Sequence, residues 1–160
     1  KFRYLIIEGG GHDMAAGFSI KSSNIEIFKQ SINLHYDKFL DEDLMSAKLE
    51  LDTEIDLTLA NLETLSSIEQ LSPFGIGNKK PLFISKECKI SETALIGRDK
   101  SHIKFKVSQN GKKYEAVAFG MGQYIDQLRD KDNFEIAYQL DKNVWNGRTS
   151  VQLIIKDVRK

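Results

Sequence analysis

The chain has 160 residues, of which 41% are hydrophobic and 29% are charged, a composition typical of a globular protein rather than a disordered or fibrous one. One cysteine excludes a disulfide framework, and three scattered histidines argue against a zinc site. No apolar run approaches the roughly 18 residues that a membrane-spanning helix needs, and no signal peptide is visible. We therefore expect a cytoplasmic protein with no membrane partner.

The formal net charge of zero hides an uneven distribution of charge along the chain. Residues 51–72 contain five acidic residues and no lysine or arginine, whereas residues 73–160 contain seventeen basic and ten acidic residues. A basic segment favours a polyanionic partner, although a lysine-rich solvated surface produces the same excess.

The first 72 residues predict a mixed segment of strands and helices. The glycines and histidine at 9–12 are expected to interrupt regular structure, and a strand of small residues should follow over 15–20. Ser23 and Glu26 have the spacing of a capping box at the start of an amphipathic helix over 24–40. Alternation predicts a strand over 48–56, and leucines at helical spacing predict a second helix that ends at Ser72-Pro73.

After Pro73 the pattern changes to strands. The predicted order is a long bent strand over 82–95, strands over 102–108 and 114–119, a short helix at 124–128, and strands over 134–140 and 149–158. Asn110-Gly111 and Asn146-Gly147 are strong hairpin signals. Three strands, a helix and two strands are the order of an OB-fold, a five-stranded Greek-key barrel.

The first candidate site is the stretch Gly9-Gly10-Gly11-His12. Glycines allow backbone N–H groups to approach an anion closely, and a neighbouring histidine can donate a hydrogen bond to a phosphate oxygen or to charge that develops in a transition state. The alternative interpretation is a glycine turn with a surface histidine. The small residues that follow imply a backbone packed closely against a neighbour.

The second candidate site is basic. Six bases stand against one acid, Asp99, between residues 98 and 113, and OB-folds bind single strands on the second and third strands and in two adjoining loops. Trp145 is the best candidate for an exposed stacking residue, whereas Phe105 and Phe119 are expected in the core. The alternative is a solvated barrel face. The predicted DNA-binding residues are Arg98, Lys100, His102, Lys104, Lys106, Lys112, Lys113, Trp145 and Arg148.

Other chemistry-bearing residues give weaker signals. Cys88 is expected to be a small core residue. The acidic run Asp41-Glu42-Asp43 is interpreted as a solvated helix end, so we predict no metal ligands in this chain. No Walker-type phosphate loop and no nucleophile–histidine arrangement is present in the sequence.

Two motifs resemble those of one enzyme family. Residues 10–18 (GGHDMAAGF) look like the GGHxxAAGF motif of the DHHA1 domain in the DHH phosphoesterase superfamily. Residues 73–78 (PFGIGN) with Pro81-Leu82-Phe83 are similar to the segment that opens the OB domain of the RecJ family, and residues 102–105 and 152–157 resemble two of its strands. The resemblance predicts an α+β chain with the end of DHHA1 at 1–56, an acidic helical connector at 57–72 and a five-stranded OB-fold at 73–160.

The resemblance implies a parent enzyme that degrades single-stranded DNA from the 5′ end in recombination and repair. Its manganese or magnesium ions would be held by an Asp-His-His motif that this sequence lacks, so we expect the chain to be an inactive piece of a longer protein, with no cofactor of its own. Gly10, Gly11 and His12 would face the substrate phosphate, with His12 in a catalytic role. The implied partners are single-stranded DNA, the absent DHH domain and, as candidates, a helicase or a single-strand-binding protein.

Two other classes remain open. A non-catalytic single-strand-binding OB protein would have no use for residues 10–17. A DHH/DHHA1 phosphodiesterase for short oligonucleotides, or the DHHA1 region of an alanyl-tRNA synthetase, would not be expected to continue into PFGIGN and five strands.

Overall fold

The computed structural model describes residues 2–36, 48–129 and 132–160. The chain divides into two compact units, Lys1–Leu49 and Glu50–Lys160, which are described separately. None of the helices in these described ranges is long and apolar enough to cross a membrane.

The first unit contains a β-hairpin and one helix. The antiparallel strands are β1 (Ile6–His12) and β2 (Ala15–Ile20), after a 3-10 turn at Arg3–Leu5, and the helix is α1 (Ile25–Tyr36). The ring of Phe28 on α1 lies 4.9 Å from that of Phe18 on β2 and 6.3 Å from that of Phe2, so aromatic contacts join helix and hairpin. Leu5 is the one residue of this unit that is buried among those described.

Two predictions for this unit are wrong in detail. The glycines do not interrupt regular structure, because they lie within β1, where antiparallel pairing to the small residues of β2 satisfies their backbone groups. Ser23 does not start the helix, since it lies inside a 3-10 turn, Ser22–Asn24, that precedes α1. The predicted strand over 15–20 is confirmed, and the predicted helix end at Asp41-Glu42-Asp43 lies outside the described residues.

The second unit is a closed barrel with short helices. Its strands are β3 (Thr53–Glu54), β4 (Phe83–Ile96), β5 (His102–Gln109), β6 (Lys112–Ala118), β7 (Phe134–Trp145) and β8 (Arg148–Arg159). Its helices are α2 (Leu62–Glu69) and α3 (Ile125–Leu128), which follow 3-10 turns at Leu57–Leu59 and Gly122–Tyr124.

Strand pairing closes the barrel in the order β4-β5-β6-β8-β7 and back to β4. All pairs are antiparallel except β6 with β8, and α3 lies between the third and fourth barrel strands in chain order. This is the predicted OB topology, and the barrel is confirmed. Each of the two Asn-Gly pairs has positive φ at both residues, as a type I′ hairpin turn requires.

The barrel core continues beyond the strands. Ile103, Phe105 and Val107 of β5 point inward and are almost completely buried, as the alternation predicted. Leu57, Leu65 and Ile68, from the acidic segment before Pro73, belong to the same buried cluster. The predicted connector at 57–72 is therefore packed into the barrel unit, which begins at Glu50.

Specific hydrogen bonds tie this acidic segment to the barrel. The Asp52 carboxylate accepts from the backbone N–H of Leu82 at 2.8 Å, and the Leu57 N–H donates to Oε1 of Gln109 at 2.7 Å. Asp56 accepts from the Thr58 N–H and from the side chain of Asn110, and these bonds lower the pKa of Asp56. Only Thr53 and Glu54 of the predicted strand over 48–56 pair as strand, β3 with β4. Backbone hydrogen bonds from the Asp52 N–H to the Leu82 carbonyl and from the Ile55 N–H to the Ile84 carbonyl continue this contact on either side.

Candidate nucleic-acid interface

The outward faces of β5, β6, β7 and β8 form a groove of about 480 Å³, called here the outer groove. It is lined by Lys104, Glu115, Asn143, Trp145, Arg148 and Gln152, among others. Cross-strand register places these residues together, since Trp145 pairs with Arg148, and Gln152 pairs with both Asp141 on β7 and Glu115 on β6. Period-two alternation then directs them to one face of the barrel.

Trp145 and Arg148 stand at the hairpin end of the outer groove. The Trp145 side chain is 73% exposed at the end of β7, directly before the type I′ turn at Asn146-Gly147. Within the described ranges Arg148 takes part in no ion pair with an acidic side chain. An exposed indole beside an unneutralised guanidinium can stack on a base and contact its phosphate.

Three lysines of the predicted basic face are paired with acids. The Lys104 ammonium lies 3.0 Å from the Glu115 carboxylate, and Lys106 and Lys113 lie 2.6 and 2.7 Å from the two carboxylate oxygens of Glu92. Residues 98–113 contain six bases and one acid. Folding brings two glutamates from outside that stretch, on neighbouring strands, into contact with three of those bases. The hydrogen bond from Lys106, followed by that from Lys113, lowers the pKa of Glu92 to about 2.

The other predicted DNA-binding residues lie near the ends of the strands that form the outer groove. Arg98 and Lys100 belong to the turn between β4 and β5, and Lys112 begins β6 beside the Asn110-Gly111 turn. His102 joins the start of β5 to the turn that follows β6, because its Nδ1 accepts from the Gly120 N–H at 3.0 Å and its ring meets Phe119 edge-on at 5.2 Å. These positions flank the outer groove rather than line it.

One prediction for this surface is wrong, and three residues of the outer groove were not predicted. Phe119, predicted in the core, is 58% exposed, because β6 ends at Ala118 and the chain turns at Gly120, whose φ is +71°. Asn143, Ser150 and Gln152 were missed as groove residues. Ser150 and Gln152 alternate with buried Val151 and Leu153, and pairing Trp145 with Arg148 across the turn places Asn143 opposite Ser150, so these signals could have revealed them.

In the first unit, the β1–β2 hairpin holds His12 in a defined orientation. The His12 Nδ1 accepts a hydrogen bond from the backbone N–H of Met14 at 3.2 Å, so the proton of the neutral ring lies on Nε2. A Cβ at Gly11 would come within 2.6 Å of the Ala15 carbonyl oxygen and 2.7 Å of the Ala16 Cα, which explains why glycine is required there. Gly10 faces Gly17 across the hairpin, and a Cβ at either would meet open space.

The described residues do not supply a metal site. No group of three or more His, Cys, Asp or Glu side chains in those ranges is arranged to hold a metal ion. Cys88 is buried as predicted, and burial raises the pKa of its thiol to about 12, so the thiol is protonated at neutral pH.

Comparison with known proteins identifies relatives along nearly the whole chain. The model of the RecJ OB domain family matches residues 51–157. The single-stranded-DNA-specific exonuclease RecJ of Bacillus subtilis is 28% identical over 92% of this chain, and that of Haemophilus influenzae is 31% identical over 94%. The chain spans only 19% and 26% of the lengths of these two relatives.

Solved structures agree with the sequence relatives. The crystal structure of RecJ from Thermus thermophilus in complex with Mn2+ matches with a TM-score of 0.75 and 25% identity, covering 99% of this chain and 22% of that one. A second structure of the same protein, in complex with Mg2+, matches equally well.

Proposed function

The chain belongs to the RecJ OB domain family, and from this premise we propose that it is the single-strand-binding part of a longer single-stranded-DNA-specific 5′-to-3′ exonuclease. The observation that carries the proposal is the outer groove, in which exposed Trp145 stands beside the Arg148 guanidinium on the barrel face that OB-folds use for single strands. The setting in DNA recombination and repair, in the cytoplasm, follows from the resemblance.

The outer groove suits an extended single strand. Its length from Arg148 to Gln152 along β8 is about 13 Å at roughly 3.3 Å per residue, and the face continues across β6 to Lys104 on β5. An aromatic platform beside a guanidinium binds single strands without sequence preference, because every base has a π-face. Asn143 and Gln152 add neutral donors for phosphate or sugar oxygens.

We assign the hairpin of the first unit to the substrate phosphate. With Nδ1 occupied by the Met14 N–H, the free His12 Nε2–H can donate to a phosphate oxygen. The side-chain-free surface around Gly10 and Gly17 leaves room for a phosphate group to approach the backbone.

The metal ions named with the Thermus thermophilus relatives have no fitting ligand set among the described residues. Manganese or magnesium would have to be held by another part of the longer protein. We therefore expect the 160-residue chain alone to release no labelled nucleotides from single-stranded DNA in the presence of manganese. Cleavage that disappears on adding a chelator would show instead that this piece carries the metal centre itself.

Trp145→Ala is expected to weaken binding of single-stranded DNA by about 5- to 150-fold, the factor that corresponds to losing about 1–3 kcal/mol of base stacking. Fluorescence-anisotropy titration of the 160-residue chain with a labelled oligonucleotide measures this change. Val144→Ala is the matched control, since Val144 is also exposed and precedes Trp145 on β7. If both variants lose the same affinity, or neither loses any, Trp145 does not contact the DNA.

Arg148→Ala is expected to act on the electrostatic part of binding. Losing one phosphate contact should make the slope of log K against log salt concentration shallower by roughly 0.7 for a single strand, with similar effects on all sequences. Lys86→Ala removes the same charge from β4, where Lys86 pairs with Glu54 away from the outer groove. If both variants change the slope equally, Arg148 contributes only to the general field of the barrel.

A further inference from the structure

One carboxylate on the barrel surface is held by two lysines. Glu92 lies in the register shift of β4 between Ser91 and Ala94, and its two carboxylate oxygens lie 2.6 Å from the Lys106 ammonium and 2.7 Å from that of Lys113. Two ammonium groups on the two oxygens of one anion is also the arrangement with which a protein holds a phosphate. The lysines thus form a complete anion site whose occupant is a side chain of the same protein.

Protein stability does not account for this arrangement. All three side chains are between 37% and 51% exposed, and ion pairs at such exposure stabilise a fold very little. The Glu92 backbone has a φ of +54°, a left-handed conformation that glutamate rarely adopts and that is costly for any residue with a Cβ. Glu87 has the same φ at the other register shift of β4, so this backbone conformation accompanies the bulges of the strand.

The anion site adjoins the outer groove. Lys106 is the direct cross-strand partner of Glu115, which lines the groove and pairs with Lys104. Lys104 and Lys106 lie two residues apart on β5 and share its outward face. A strand that leaves the groove over β5 would therefore meet Lys106 next.

We propose that Lys106 and Lys113 form a second, latent phosphate site for single-stranded nucleic acid, and that the Glu92 carboxylate occupies it until a phosphate displaces it. This inference rests on the proposed binding of single-stranded DNA. Glu92 acts as an internal competitor that weakens binding at one end of the groove, so that a strand can move across the barrel without being held there. Its carboxylate is ionised at neutral pH because both ammonium groups favour the charged form.

Glu92→Gln tests the proposal in the 160-residue chain. Glutamine keeps the size of the side chain and removes the charge that competes for the lysines. We expect affinity for an oligonucleotide longer than the groove to rise by about 2- to 30-fold, the factor that corresponds to two exposed ion pairs. The salt slope should become steeper by roughly 0.7 for each additional phosphate that the lysines bind. Glu92→Asn serves as a second variant, because asparagine tolerates a positive φ.

Glu54→Gln is the matched control. Glu54 pairs with Lys86 at 2.7 Å and has a similarly exposed side chain, so the substitution produces the same change in net charge away from the groove. The rise in affinity from Glu92→Gln should exceed that from Glu54→Gln and should disappear when Lys106 and Lys113 are also replaced by alanine. Equal rises from Glu92→Gln and Glu54→Gln, or a rise that survives loss of both lysines, would overturn the proposal.

The same titrations distinguish failure of the latent phosphate site from failure of the proposed DNA binding. If the unaltered chain shows no salt-dependent binding of single-stranded DNA and Trp145→Ala has no effect, the outer groove is not a DNA path. If the unaltered chain binds and Trp145→Ala weakens it, while Glu92→Gln matches its control, only the latent site is refuted.

Discussion

Leu65→Ala should lower the free energy of unfolding of the barrel unit by about 2–5 kcal/mol, the usual range for removing a fully buried leucine side chain. Leu65 is 1% exposed and lies on α2, in the same buried cluster as the barrel strands. Alanine keeps the helix propensity high, so the loss reflects the cavity and the missing packing rather than the helix itself. Urea unfolding of the 160-residue chain, followed by circular dichroism, measures the change.

Leu62→Ala is the matched control on the same helix. Leu62 is 46% exposed, so its replacement should change stability by about 0.5 kcal/mol or less. Equal and small effects of both substitutions would mean that α2 contributes nothing to the stability of the barrel.

If the proposed function holds, His12→Ala should slow single-turnover cleavage of single-stranded DNA by on the order of 100-fold in the full-length protein. The reason is the loss of the Nε2–H that, with Nδ1 fixed by the Met14 N–H, is available to a phosphate oxygen. Binding of the DNA should change far less than cleavage, because the donor matters most where charge develops in the transition state.

Two comparisons separate this role from a structural one. Met14→Ala leaves the backbone N–H in place and removes a side chain that is 85% exposed, so cleavage should remain close to that of the unaltered enzyme. The melting temperature of His12→Ala should stay close to that of the parent, since His12 is exposed at the end of β1. Near-normal cleavage by His12→Ala would rule out the catalytic role.

The barrel could be predicted because local signals and global topology agree. Asn110-Gly111 and Asn146-Gly147 are sequences that specify one turn type, and β5 alternates apolar and polar residues without interruption. Once two hairpins and a short helix are located, few topologies remain. The α2 segment was harder to assign, because helical periodicity shows which face is apolar but does not identify what covers it.

The charge of the proposed binding face could not be inferred from how far apart the residues are in the sequence. Glu92 and Glu115 lie outside or at the edge of the basic stretch, yet strand pairing places them against Lys106, Lys113 and Lys104. The position of Glu92 depends on a register shift in β4, which leaves no clear mark in the sequence. The outer groove, in contrast, needed only regular pairing of β8 with β7 on one side and with β6 on the other.

Closure of the barrel has a consequence for its synthesis on the ribosome. The edges of β4 and β6 are paired by β7 and β8, which lie at the C-terminal end of the described barrel. At about 5–20 residues per second, translation of residues 119–159 takes roughly 2–8 s after β6 has been made. For those seconds the nascent three-stranded meander has two largely open hydrogen-bonding edges, the kind of surface that pairs with other chains.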